Sequence, residues 1–128
     1  MSDALSAEAA EREVQALLLR AGWKLWEPVP ANGVDMMAED ESRQVRIQVK
    51  SCERVQKNGS YRFDLRKKSS NGSRKPRDWN QEVDLIVCVA PDNHVFVLTP
   101  EEHKKSAVAL RPRDASRGHW LLTKRQQR

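Results

Sequence analysis

The chain has 128 residues, 38% hydrophobic and 32% charged, and its 23 Lys and Arg outnumber 18 Asp and Glu for a formal net charge of +5 and a pI near 9.5. That length supports one α/β or α+β domain with a real core and is too short for two; no apolar run nears membrane-spanning length, and the opening Met1-Ser2-Asp3-Ala4 lacks the basic-then-apolar order of a secretion signal. Two cysteines without metal-ligand spacing, Cys52 and Cys88, argue against a disulfide framework and fit a reducing cytoplasm.

The first predicted element is a helix from about Ser6 to Ala21, with Ser6 as its cap and the strong helix formers Ala7 to Ala10 behind it. Ala10, Val14, Leu17, Leu18 and Ala21 recur at helical spacing and mark its buried stripe, and Gly22 stops it. Glu11 borders that stripe, whereas Glu8 and Glu13 face solvent. From the residues alone Glu11 is a surface glutamate pairing with Arg12 or a neighbour, or a carboxylate able to reach a cation on a sheet beneath.

Trp23 to Val29 alternates aromatic and polar residues as a first strand, ended by Pro28 and Pro30, and Asn32-Gly33 turns the chain into the next. The segment joining Val34-Asp35 to Val45 reads as a hairpin, because Asp40-Glu41-Ser42-Arg43 is a polar run between apolar stretches and suits a four-residue loop. Val45, Ile47 and Val49 then share one strand face, and Arg46, Gln48 and Lys50 the other. In this register Asp35 sits directly opposite Gln48, with Cβ atoms roughly 4.5–5.5 Å apart. Asp35, Gln48 and Lys50 converge. Two readings of that face stay open: a solvated strand surface, or a carboxylate, an amide oxygen and an ammonium gathered to bind a divalent cation with a phosphate.

Charge divides at this point in the chain. Residues 1–50 carry nine acidic and six basic side chains, net −3, and residues 51–128 carry nine and seventeen, net +8. A segregated positive surface favours a polyanionic partner, most commonly nucleic acid, over a merely solvated one. Asn58-Gly59 is a hairpin turn, returning into a strand with Tyr61, Phe63 and Leu65 inward and Arg62, Asp64 and Arg66 outward. Residues 66–77 hold six basic side chains, Arg66, Lys67, Lys68, Arg74, Lys75 and Arg77, and no acid around a Ser/Asn/Gly centre. They read as a loop without structure of its own, either disordered or a clamp on a phosphate backbone that orders on binding, with Arg62 beside it.

Val83 to Val89 is a nearly continuous apolar strand, hence central, with Cys88 as packing, and Pro91-Asp92-Asn93 turns it into a partner from His94 to Leu98. Thr99-Pro100-Glu101-Glu102 starts a second helix running to about Ala109. Pro112 to Arg128 is basic; Gly118 to Leu122 adds an edge strand or a packing contact, and the last six residues form a solvated tail. There is no phosphate-binding glycine loop, nucleophile elbow or histidine triad spacing.

Taken together, Glu11-x-x-Val14-x-x-x-Leu18-x-x-x-Gly22-Trp23, Pro30, Gly33-Val34-Asp35, Ile47-Gln48-Val49-Lys50-Ser51 and the strand pair from Val83 resemble the PD-(D/E)xK nuclease superfamily over roughly residues 8–105. The order and spacing are most similar to its small group I intron homing endonucleases, which often carry Gln-x-Lys, and are also similar to archaeal Holliday-junction resolvases. The resemblance implies a restriction-endonuclease-like core, a central mixed β-sheet flanked by helices, spanning residues 1–110 with 111–128 as a basic extension. It implies Asp35, Glu11, Gln48 and the Val49 carbonyl as metal ligands, and Lys50 as the residue that orients the attacking water and stabilises transition-state charge. It implies Mg²⁺ as cofactor, with Mn²⁺ as substitute, and a DNA partner contacted through Arg62, Arg66, Lys67, Lys68, Arg74, Lys75 and Arg77. A cytoplasmic location with the nucleoid and a homodimer or homotetramer complete the expectation. The sequence departs from the family's pattern at Gln48, where a neutral amide replaces a carboxylate. Three functions are compatible with it: a Mg²⁺-dependent endonuclease on double-stranded DNA, a branched-DNA resolvase of the same fold, or an inactive DNA-binding protein on a degenerate nuclease site.

Overall fold

Ser6 opens helix α1 (Ala7–Arg20), its hydroxyl accepting from the Ala9 amide at 3.1 Å. Gly22 ends it at φ 94°, a left-handed conformation that suits glycine. In this computed structural model the described residues are 6–27, 34–65, 67–68, 74–75, 83–99, 101, 107–116 and 118–123, with the backbone alone at 67–68 and 74–75. Pro28, Pro30 and the Asn32-Gly33 turn lie outside them.

After α1 come strands β1 (Lys24–Trp26), β2 (Met36–Glu39), β3 (Gln44–Ser51), β4 (Arg54–Val55), β5 (Tyr61–Asp64), β6 (Lys67–Lys68), β7 (Arg74–Lys75), β8 (Leu85–Val89), β9 (Val95–Leu98) and β10 (Ala107–Leu110), then a short helix α2 (Trp120–Thr123). The main sheet has five strands in the order β1-β2-β3-β8-β9. β3 and β8 are parallel, with Ile47 beside Leu85 and Lys50 beside Cys88, and the other pairs are antiparallel. Every residue of β8 is buried, as its apolar run requires of a strand covered on both faces.

Two cores explain that burial. On one face Ala10, Val14 and Leu18 of α1 pack on Val45, Ile47, Val49, Leu85, Val87 and Val89. On the other, Ile86, Cys88, Phe96 and Leu98 meet Tyr61 and Phe63 of a second sheet ordered β10-β5-β4, and Leu65 just beyond β5. The strand period of two thus sends alternate β8 residues to different cores. Gly59, at φ 87°, makes the turn joining β4 to β5. Tyr61 ties the second sheet to the β8–β9 turn, because its hydroxyl donates to Asp92, which is also 2.8 Å from His94 Nδ1.

Three expectations change. The helix predicted from Thr99 to Ala109 gives way over its last residues to β10, which pairs with β5 from Ala107↔Asp64 to Leu110↔Tyr61. An open edge of β5 and a place for Leu110 in the second core outweigh the local helix preference of Ala-Val-Ala. The basic stretch 66–77, read as lacking structure, contains the paired strands β6 and β7, with Lys67↔Lys75 and Lys68↔Arg74 opposed. Arg66 and Arg77 lie outside the described residues. Near the C-terminus α2 replaces the edge strand, and it is the packing contact that is realised. Leu121 is fully buried in the first core, and its carbonyl accepts from Trp23 Nε1 at 2.6 Å. Arg43 lies 4.1 Å above the Trp120 ring, which is tilted against Trp23 at 5.8 Å. Among the described residues no helix is long and apolar enough to cross a membrane.

Because Leu121 fills a closed space between α1 and the sheet, Leu121→Ala is expected to lower stability by about 2–5 kcal/mol. A drop in the urea midpoint at unchanged slope checks it; a midpoint equal to wild type would show that α2 is not part of the core.

Candidate active site

The β2–β3 turn fixes the geometry of the site. Asp40 Oδ1 accepts from the Ser42 and Arg43 amides at 2.8 and 2.9 Å, while its own amide donates to the Arg43 carbonyl at 3.0 Å. The resulting register, Glu39↔Gln44 to Met36↔Ile47, is the one the polar loop predicts. A one-residue slip would turn Gln48 and Lys50 into the α1 core.

β3 has eight residues and β2 only four, so β3 runs on past its partner. The Arg46 carbonyl accepts from Asp84 on the β8 side, so those of Ile47 and Val49 face β2. Regular pairing gives the Ile47 carbonyl to Met36, yet the Asp35 amide donates to it at 2.8 Å. Asp35 is therefore one residue out of step, and it leaves the ladder instead of facing Gln48 squarely across it. Its side chain takes over the vacated position, with Oδ2 accepting from the Val49 amide at 2.7 Å. A carboxylate caps the open strand edge.

Around that edge lies a cleft of about 440 Å³ lined by Glu11, Asp35, Gln48, Val49 and Lys50, together with Glu53 and Asp64. The four side chains singled out from the sequence thus share one cleft. Gln48 is only 9% exposed; its Nε2 donates to the Val49 carbonyl at 3.2 Å, while its Oε1 is buried with no hydrogen-bond partner. Leaving such an acceptor unmet costs about 1–3 kcal/mol.

The electrostatics point the same way. Burial raises the Asp35 pKa, against the opposing pull of the Val49 amide and the Lys50 ammonium. Burial also raises that of Glu11, helped by the Asp35 charge and by Glu8 and opposed by Arg12. The two carboxylates therefore repel across the cleft, and Glu11 is more than a partner for Arg12. Among the described residues no three His, Cys, Asp or Glu side chains are grouped to hold a metal by themselves. Two carboxylates, the orphaned Gln48 oxygen and the Val49 carbonyl nevertheless form an all-oxygen set suited to a hard cation that keeps several waters.

Two features escaped the sequence reading. Glu53, just before β4, and Asp64, at the end of β5, line the cleft as well, and alternation marks Asp64 only as outward-facing. A larger groove of about 740 Å³ shares Glu11 and Asp35 and continues to the exposed Leu19 and Trp26. Arg62, expected on nucleic acid, donates from Nε to Glu53 at 3.2 Å.

Raised carboxyl pKa values mean that the folded chain holds protons the unfolded chain has lost. The associated stability is complete below the ordinary values, 3.8 for Asp35 and 4.5 for Glu11, and is lost as pH rises through the raised ones. Asp35→Asn keeps an acceptor for Val49 and removes the charge facing Glu11, so without divalent ions it should lose less stability than wild type between about pH 4 and 7. Urea midpoints at stepped pH measure this; identical slopes in the two proteins would rule the coupling out.

A family model described as PD-(D/E)XK endonuclease matches residues 1–126. No curated protein matches. A solved structure of a bacterial homing endonuclease, I-Ssp6803I, superposes with a TM-score of 0.64 at 19% identity, covering 81% of this chain and 71% of that one. At that identity the likeness is one of fold, a restriction-endonuclease-like mixed sheet packed by helices.

Proposed function

The chain belongs to the PD-(D/E)XK endonuclease family, and from that premise we propose that it is a Mg²⁺-dependent endonuclease hydrolysing phosphodiester bonds of double-stranded DNA. The observation that carries this reading is the partnerless, buried Gln48 Oε1 in a cleft shared with Asp35, Glu11 and Lys50. Asp35, Glu11 and the Gln48 oxygen would hold a divalent cation there, which would meet the orphaned acceptor and offset the repulsion between the two carboxylates.

When bound, Mg²⁺ supplies Lewis acidity on the phosphate oxygens and lowers the pKa of a coordinated water. The chain's own residues do the rest. Asp35 offers Oδ1 to the cation because Oδ2 is engaged by Val49, so its orientation is set before any ligand arrives. Gln48 is held by its donor end on the Val49 carbonyl and presents its acceptor end. Glu11 contributes from α1, directly or through water, and the Val49 carbonyl is a further ligand. Lys50 holds the attacking water and places a positive charge beside the pentacovalent phosphorus, where negative charge grows during attack. The same oxygen set would also accept Mn²⁺.

The basic residues 66–77 contact the phosphate backbone and position the duplex without reading its sequence. Asp35, Gln48 and Lys50 make one such site per chain, so cleavage of both strands calls for a dimer or tetramer of the chain.

Nicking of supercoiled plasmid tests the proposal. Wild type should nick with Mg²⁺ and not with EDTA, and Asp35→Ala and Lys50→Ala should each lower the rate by about 10²–10³-fold while leaving DNA binding intact. Tight, salt-sensitive DNA binding with no Mg²⁺-dependent nicking would instead identify an inactive DNA-binding protein.

A further inference from the structure

The sheet face that carries Gln48 and Lys50 extends beyond the cleft. Gln44, Arg46, Gln48 and Lys50 of β3 point away from the α1 core, which takes Val45, Ile47 and Val49. Glu39 lies opposite Gln44, Met37 opposite Arg46, and Trp26 opposite Met37. Directly opposed residues share a face, so Trp26 stands on the same side of the sheet as Gln48 and Lys50. Both β1 and β3 are antiparallel to β2, and hence run parallel to each other. Trp26 therefore closes β1 at the end of the sheet where Asp35 leaves β2, two strand spacings, about 10 Å, to the side of β3.

The indole there is both exposed and fixed. Trp26 is 55% exposed, yet its Nε1 donates to Glu39 Oε1 at 3.2 Å, and Glu39 Oε2 in turn accepts from Gln44 Nε2 at 2.6 Å. With its one donor engaged, the ring has none left for a phosphate and offers its aromatic face. The larger groove joins Trp26 to Asp35 and Glu11, so whatever meets that face lies beside a strand held in the cleft. Glu8, Glu11, Glu27 and Asp35 against Arg12 make this groove acidic, which disfavours a run of phosphates and admits an uncharged ring. In paired DNA each base face is covered by its neighbours in the stack. Only an unpaired base has a face to give.

We propose that Trp26 stacks on an unpaired base of the substrate DNA close to the scissile phosphate, so that the preferred substrate is a duplex interrupted by unpaired bases. Exposing a base face costs least where the duplex is already disturbed. Glu39 and Gln44 hold the ring in place before the base arrives. This inference rests on the reading of the cleft as a DNA-cleaving site.

Two single strands of equal length and charge separate a base contact from a backbone contact: a thymidine oligonucleotide and its abasic counterpart, titrated into the full chain without divalent ions. Wild type should prefer the thymidine strand, which should quench indole fluorescence where the abasic strand does not. Trp26→Leu should lower that preference about tenfold, the loss of one stacked base, with affinity for the abasic strand unchanged. Trp26→Phe should keep most of the preference, which separates loss of the aromatic face from loss of fold. With Mg²⁺, wild type should nick a plasmid carrying a short unpaired bubble at the bubble in preference to paired DNA, and Trp26→Leu should not. An undiminished thymidine preference in Trp26→Leu overturns the stacking role alone, provided wild type still nicks paired plasmid. So does a Trp26→Leu protein that binds both strands as wild type does but sediments as a smaller species, which would place the indole between copies of the chain. Failure of wild type to bind either strand or to nick plasmid overturns both this role and the DNA reading.

Discussion

The hydrogen bond from the Val49 amide to the Asp35 carboxylate is the interaction on which the site depends. A strand that outruns its neighbour leaves amides bare, and a bare edge is costly when buried and adhesive when exposed. Here the first vacant amide is met by a side chain that has stepped out of the adjacent strand. The bond fixes one carboxylate oxygen of a residue that lines the cleft. Moving Asp35 back into regular pairing would close the edge with backbone and remove the cleft's central acid. The short β2 is therefore as much a part of the site as the residues that line it.

Holding the site together costs stability. Two carboxylates are kept partly buried and in view of one another, and a buried amide oxygen goes unmet. Nothing in the packing demands this, because the cores on either side of the sheet are continuous and apolar. The frustration is confined to the end of β3, where α1, the main sheet and the second sheet diverge. Such local disagreement with an otherwise consistent fold is what sets this end of β3 apart from the rest of the sheet. A neutral Gln48 also lessens the repulsion that a third acid beside Asp35 and Glu11 would add.

Much of this was legible from residue patterns. The α1 stripe, the turn at Asp40 to Arg43 and the apolar run of β8 are local signals, and local signals placed the helix, the register and the central strand. Family resemblance then tied Glu11 to a hairpin remote from it in sequence. What escaped detection was decided by tertiary partners. Ala107 to Leu110 has an ordinary helical composition and becomes β10 because β5 has an edge to pair with. Gly118 to Leu122 reads equally as an edge strand or a packing contact, and the choice falls to packing because the Leu121 carbonyl meets an indole 98 residues earlier in the chain. Asp64 carries no motif and reaches the cleft only because the second sheet brings it there. The step of Asp35 out of register depends on the unequal lengths of two strands, which alternation patterns do not encode.

The position of α2 bears on when the protein becomes competent during its synthesis. All four motif residues have been translated by Lys50, but β3 lacks its parallel neighbour until Leu85 to Val89 emerge, and the core under α1 lacks Leu121 for longer still. Contacts so distant in sequence are late and slow to form. A nascent chain on the ribosome thus carries Glu11, Asp35, Gln48 and Lys50 well before the scaffold that brings them to one cleft. The core beneath α1 is complete only once Leu121 has left the exit tunnel.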